Sequence, residues 1–273
     1  LEQTLDSWVT QGGNVEHKAE VALSLRNTWR GRPFADENAA YRQLELVCDE
    51  PLPTLTADFS HVTTLRLRMP SATDQQIASL LRNFPGLINL DLRSNRLIAN
   101  PIAQENAGSL LKLDLSDNPL YQLDVSAMTQ LEVLNLAGTQ LQEWPTGADT
   151  LWHRDWLDLR GTRIRELPPE ALARNELLIN TNLTGAPLSA AAQQQLQLAW
   201  QRCEMTLGLP DGALERFFRE PVPQHTARPF ENGTLLASRL LLLPPRLPAE
   251  LSTASFIRRL RRVDPGLTEG EAM

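Results

Sequence analysis

Side chains able to do chemistry are sparse and scattered along the 273 residues. Asp91 and Asp114 fall at equivalent points of two similar segments, and paired carboxylates can work as an acid/base couple. That chemistry needs an enclosed site that drives the two pKa values apart, and the surrounding pattern predicts an open surface instead. Cys48 precedes Asp49-Glu50, as a nucleophile with nearby acids would. It also follows an apolar stretch closely, and the expected role is a buried structural thiol. Cys203 falls at the end of an amphipathic segment, with the same expectation. His17, His61, His153 and His225 show no HExxH spacing and no Ser or Cys partner. With no CxxC, Cys/His cluster, GxGxxG or P-loop, neither a metal nor a cofactor is expected. The sequons at Asn182 and Asn232 are low-information matches. No catalytic residue is assigned, and a self-contained hydrolase is the remotest of the functional classes considered.

The acids are better understood from the elements that position them. The template LxxLxLxxNxL fits Leu87, Leu90, Leu92, Asn95 and Leu97, then Leu110, Leu113, Leu115, Asn118 and Leu120. A third copy runs Leu131, Leu134, Leu136, Thr139 and Leu141, with Thr in place of Asn. Weaker copies lie at Val62, Leu65 and Leu67, at Leu157, Leu159, Thr162 and Ile164, and at Leu178, Leu183 and Leu188. Tyr41, Leu44, Leu46 and Asp49 form an irregular opening turn. The third apolar position recurs at Leu46, Leu67, Leu92, Leu115, Leu136, Leu159 and Leu183, in steps of 21, 25, 23, 21, 23 and 24. These steps lie within the interval of leucine-rich repeats, roughly 20–29 residues.

The fold predicted is an α/β leucine-rich-repeat solenoid of about six or seven coils, with a parallel concave sheet and helical caps at both ends. Residues 1–40 form the N-terminal cap, 41–188 the repeats, 189–203 a C-terminal capping helix, and 204–273 a Pro-rich and helical connector towards a further domain. The N-terminal segment breaks at Gly12-Gly13. It then places Val15, Ala19, Ala22, Leu23, Leu25 and Trp29 at helical spacing over the first coil. Ser189 is the expected N-cap of the closing helix, whose Leu196, Leu198 and Trp200 would cover the last coil. Asn95 and Asn118 are expected to bond backbone groups of adjacent coils. Thr139 and Thr162 do this only in part, so the later coils are expected to be less regular.

The register also lists the concave face. Between the core leucines stand Arg66, Asp91, Asp114, Asn135, Asp158 and Asn182. Beside them run Arg68, Arg93, Ser116, Ala137, Arg160 and Thr184, and then Thr64, Asn89, Lys112, Val133, Trp156 and Asn180. With neighbouring strands about 4.8 Å apart, these rows make one continuous surface expected to face solvent. Arg66, Arg68, Asp91, Arg93, Lys112, Asp114, Asn135, Trp156, Asp158 and Arg160 are the candidate contacts to a protein partner. Their mixed charges suit complementary recognition, and Trp and Arg are common interface anchors.

A net charge of −7 argues against nucleic acid as partner, because phosphate binding needs a clustered basic face. Arg258-Arg259-Leu260-Arg261-Arg262 is the one basic run, and a solvated helix face explains it. No apolar run reaches the roughly 18–20 residues of a membrane span, and Leu235 to Pro245 is interrupted by Ser238 and Arg239. The opening shows no signal-peptide pattern, and the two ends are those expected of a piece of a longer protein.

Asp58-Phe59-Ser60-His61-Val62, the repeats Leu90-Asp91-Leu92-Arg93-Ser94-Asn95 and Leu113-Asp114-Leu115-Ser116-Asp117-Asn118, and Asn182-Leu183-Thr184-Gly185-Ala186-Pro187-Leu188-Ser189 together resemble one group of proteins. These are the leucine-rich-repeat regions of large bacterial dermonecrotic-toxin-like effectors, many of which continue into a NEL-type E3 ubiquitin ligase domain. The resemblance covers roughly residues 1–203. It implies a secreted bacterial protein acting in the host cytoplasm, where the repeats recognise a host protein and can restrain the ligase domain. The family's catalytic Cys lies in a Cys-x-Asp motif after the repeats. Here Cys48-Asp49-Glu50 has the wrong spacing and Cys203 is followed by Glu204-Met205, so ligase chemistry would belong to a part of the parent protein outside this chain. The alternative is a stand-alone repeat scaffold or immunity-type protein with no enzymatic domain.

Overall fold

The computed structural model describes residues 1–36, 38–150, 156–174, 177, 178 and 180–207. The connector beyond 207, with its Pro-rich stretch, basic run and His225, lies outside the described residues, as does His153. Seven short strands form one parallel sheet in sequence order: β1 (Gln43–Val47), β2 (Thr64–Arg68), β3 (Asn89–Asp91), β4 (Lys112–Asp114), β5 (Val133–Asn135), β6 (Trp156–Asp158) and β7 (Thr181–Asn182). The leucines stack as the repeat spacing requires, with Leu44 opposite Leu65, Leu65 opposite Leu90, Leu90 opposite Leu113 and Leu113 opposite Leu134. This is a leucine-rich-repeat solenoid. At the last pair Leu157 meets Thr181, whose buried hydroxyl donates to the Leu177 carbonyl at 2.6 Å.

The inward leucines are fully buried, and the returning side of the coils closes over them with α3 (Asp74–Leu81), α4 (Gln104–Ala107), α5 (Pro169–Leu172) and extended segments. α3 starts at a capping box, Thr73 with Gln76, and buries Ile77, Leu80 and Leu81. Phe59 and Phe84 stack at 4.9 Å between centroids under the early coils. His61 has a structural place beside them: its Nε2 lies 3.0 Å from the Thr28 carbonyl.

The N-terminal cap is two helices, α1 (Glu2–Thr10) and α2 (Val15–Gly31), separated at Gly12 and Gly13, where φ is +89° and +78°. The covering face of α2 differs from the expected one. Lys18, Val21, Ala22, Leu25 and Thr28 are buried, whereas Val15 and Leu23 are exposed, because only the i, i+3/i+4, i+7 stripe can meet the first coil. Lys18 is the unexpected member. Its ammonium reaches Glu50 at 2.7 Å and the Gly12 carbonyl at 2.7 Å, fastening the cap to the turn after β1. The Lys18 bond, and after it the bond from the Asn14 N–H, hold the Glu50 carboxyl below its usual range.

At the other end Ser189 Oγ accepts from the Ala192 N–H at 3.0 Å and opens α6 (Ala190–Leu207). Ala192, Leu196 and Ala199 face inward, and Leu198, expected to cover the last coil, is exposed because it sits two residues off that stripe. The loss of Asn in later coils does not disrupt the ladder. Leu136 N–H still reaches the Asp158 carbonyl and Leu159 N–H the Asn182 carbonyl, both at 2.8 Å.

Candidate functional site

The concave side of the sheet carries the predicted contacts in the predicted register. Arg66 stands opposite Asp91, Asp91 opposite Asp114, Asp114 opposite Asn135, and Asn135 opposite Asp158. Lys112, Val133 and Trp156 form the expected adjacent row. Exposure departs from expectation. Asp91, Asp114, Asn135, Asp158 and Asn182 are buried, as are Arg93 and Ser116 in the second row. Of the predicted contacts only Arg68 is exposed, and Arg66, Lys112 and Arg160 are half-buried.

The cause lies in the short side chains. Each Asx residue between the core leucines folds back to accept the N–H two residues on: Asp91 from Arg93, Asp114 from Ser116, Asn135 from Ala137, Asp158 from Arg160 and Asn182 from Thr184, at 2.9–3.1 Å. The side chains therefore lie flat where the strand ends and satisfy N–H groups leaving the ladder. Where an Arg follows two residues later it closes over the carboxylate. Arg93 Nη2 lies 2.8 Å from Asp91, and Arg160 grips Asp158 through Nε and Nη2 at 2.7–2.9 Å. Concave polar residues thus serve the sheet before they serve a partner.

Trp156, expected as an exposed anchor, is 1% exposed and pairs in register with buried Val133. It belongs to the packed part of the face, so its truncation would disturb the fold as well as any contact.

Asp114 is the exception among the acids, having Ser116 where the others have Arg. Ser116 Oγ donates to it at 2.6 Å and Asn135 Nδ2 at 3.0 Å, both neutral partners. Burial first, and the adjacent Asp91 charge second, push its carboxyl up to about 6, against the pull of the Ser116 bonds and Arg93. Below about pH 6 a proton on Asp114 relieves the like-charge pair, but the pair faces an open sheet and not a cleft.

Cys48 is buried, with its thiol pushed up by burial, so it is poorly placed as a nucleophile. Among the described residues no group of three or more His, Cys, Asp or Glu side chains could hold a metal, and no helix is long and apolar enough to cross a membrane.

Sequence reasoning overlooked one region. Ile98 and Tyr121, each directly after the last Leu of an NxL motif, are exposed on the flank of the coils. Their signal was a large apolar residue at a position that the repeat leaves to solvent.

No protein-family model matches the chain, and no curated protein matches it. Among solved structures, a leucine-rich-repeat protein of Leptospira interrogans aligns with 54% of this chain at 21% identity and a TM-score of 0.39, over 43% of its own length. The functional domain of InlJ from Listeria monocytogenes, which includes a cysteine ladder, aligns with 57% at 20% identity and a TM-score of 0.42, over 32% of its own length. The alignments with this chain thus span less than half the length of either protein.

Proposed function

We propose that the chain is a protein-recognition domain that holds its partner on the concave sheet, chiefly through the end nearest the N-terminal cap. The observation that carries this reading is the gradient of exposure along the face. Glu45, Val47 and Arg68 are exposed on β1 and β2, whereas the equivalent residues from β3 onwards are mostly folded down and hydrogen-bonded. A continuous polar sheet with an accessible end and a rigid remainder suits a preorganised binding surface. The finer reading follows the resemblance of the sequence: a host-target recognition region of a secreted bacterial effector of the NEL ligase type, acting in the host cytoplasm, with catalysis in another part of the parent protein.

Capture of partners from host lysate by this chain tests the reading. Arg68→Glu should leave the melting temperature within about 2 °C, as expected of an exposed side chain, and should reduce capture at least tenfold. Full capture by a folded Arg68→Glu chain would move the binding site elsewhere. A ubiquitin-loading assay on this chain should give no thioester; loading on Cys48 or Cys203 would overturn the assignment of catalysis to another segment.

A further inference from the structure

The flank beside the sheet carries a second surface with its own chemistry. Ile98 is 59% exposed and Tyr121 50% exposed, although Leu97 and Leu120 next to them are fully buried. A groove of roughly 420 Å³ lies at this flank, lined by Ile98, Leu123 and the half-buried Trp144. Its charged lining residues are Asp124 and Glu143, with no cation among them. Ser126 bonds hold the Asp124 carboxyl below its usual range, so it keeps its charge in mild acid. Trp144 Nε1 is shielded from water and has no hydrogen-bond partner among the described residues. Arg163 and Arg165 line an adjoining groove that shares both Glu143 and Trp144 with this one, so the anionic character is strongest at Asp124.

We propose that this flank groove docks an extended peptide segment of a protein partner in which apolar residues alternate with lysine or arginine. The apolar residues pack on Ile98 and Trp144, and on Tyr121, which directly precedes the lining residue Gln122. The cation sits between Asp124 and Glu143. Exposed aromatic and aliphatic side chains beside carboxylates that no cation of the groove neutralises fit that partner better than an acidic or wholly polar one. This site is separate from the concave face and stands or falls without it.

The test uses ¹⁵N-labelled full chain and two blocked peptides, acetyl-(Ala-Leu-Lys-Leu-Lys-Ala)-amide and its counterpart with Glu in place of Lys. The Trp144 indole N–H signal, assigned through Trp144→Phe, should move saturably with the Lys peptide. The Glu peptide should bind at least tenfold more weakly. Asp124→Asn with Glu143→Gln should weaken the Lys peptide about tenfold or more while leaving the core signals in place, since Asn keeps the oxygen that caps Ser126. Tyr121→Ser should weaken it as well. An unmoved indole signal, equal response to both peptides, or undiminished affinity in the double variant would each overturn the proposal. So would a Tyr121-dependent dimer in sedimentation, which would make a second copy of the chain the occupant.

Discussion

The turn after β4 and the turn after β5 occupy the same place in successive coils, yet they are held by different means. Leaving β4, Asn118 donates to Leu115 in its own coil and to Leu92 in the coil before, both at 2.9 Å. It also accepts from Asn95 and Leu97 N–H groups at 2.9 and 3.0 Å. Leaving β5, Thr139 donates to Leu136 of its own coil at 2.7 Å. The preceding residue differs in step. Asp117 takes a left-handed backbone at φ +56°, whereas Gly138 does so at φ +71° without a Cβ to strain it. An Asn turn thus binds coil to coil and tolerates a strained neighbour. A Gly-Thr turn relaxes the backbone and leaves coil-to-coil cohesion to the strands and stacked leucines.

The largest expected effect comes from converting one turn into the other. Asn118→Thr strands buried backbone groups of two coils and should cost about 3 kcal/mol in urea unfolding, from roughly 1–3 kcal/mol per unsatisfied group after partial relaxation. Thr139→Ala, removing one intra-coil bond, should cost about 1 kcal/mol. Equal costs at the two sites would break the distinction between the turns.

A smaller effect separates backbone strain from crowding. Gly138→Ala meets both, because a Cβ there would come within 2.7 Å of Asp117 Oδ1 at a positive φ. Gly161, at φ +65° in the next coil, would place its nearest contact at 3.9 Å. Gly138→Ala should therefore cost about 2 kcal/mol and Gly161→Ala about 1 kcal/mol, the latter being the backbone term alone. Thermal unfolding of the two variants side by side measures the difference, and a reversed order would show that Asp117 yields freely.

Leucine spacing made the coils legible in the sequence, because one period fixes both the core and the strand register. The Asn ladder was legible for a similar reason, since a buried turn must satisfy its own backbone. Exposure on the concave face was not. Alternation says which face Asp91 or Trp156 belongs to, but not that a two-atom arm will fold onto an N–H two residues away, or that Val133 and Trp156 will pack side by side. Lys18 was missed because its partner, Glu50, is brought near only once the cap docks. The flank groove was missed because it is assembled from Ile98, Leu123 and Trp144 of different coils, which no local motif links.

An effect that should fade to nothing with pH concerns the acids between the core leucines, where the sequence shows a rule and one departure. Asp91 and Asp158 are followed two residues later by Arg93 and Arg160, and Asn135 and Asn182 by the uncharged Ala137 and Thr184. Asp114, followed by Ser116, is a carboxylate in an amide's setting. Its folded pKa of about 6 lies above the ordinary value of 3.8, so the folded chain binds this proton more tightly than the unfolded one. The resulting stability is fully present below about pH 4 and is lost as the pH rises towards 6, after which the contribution is flat. Asp114→Asn should therefore stabilise the chain by about 1 kcal/mol at pH 7.5, less than the full linkage because Asn135 Nδ2 loses its carboxylate acceptor. Near pH 4 that advantage should vanish, since the wild-type side chain is then protonated as well. Subtracting urea-unfolding free energies of variant and wild type across this range cancels the other carboxylates. A difference independent of pH would mean that Asp91 and Arg93 already accommodate the second charge, and that Asp114 is no departure at all.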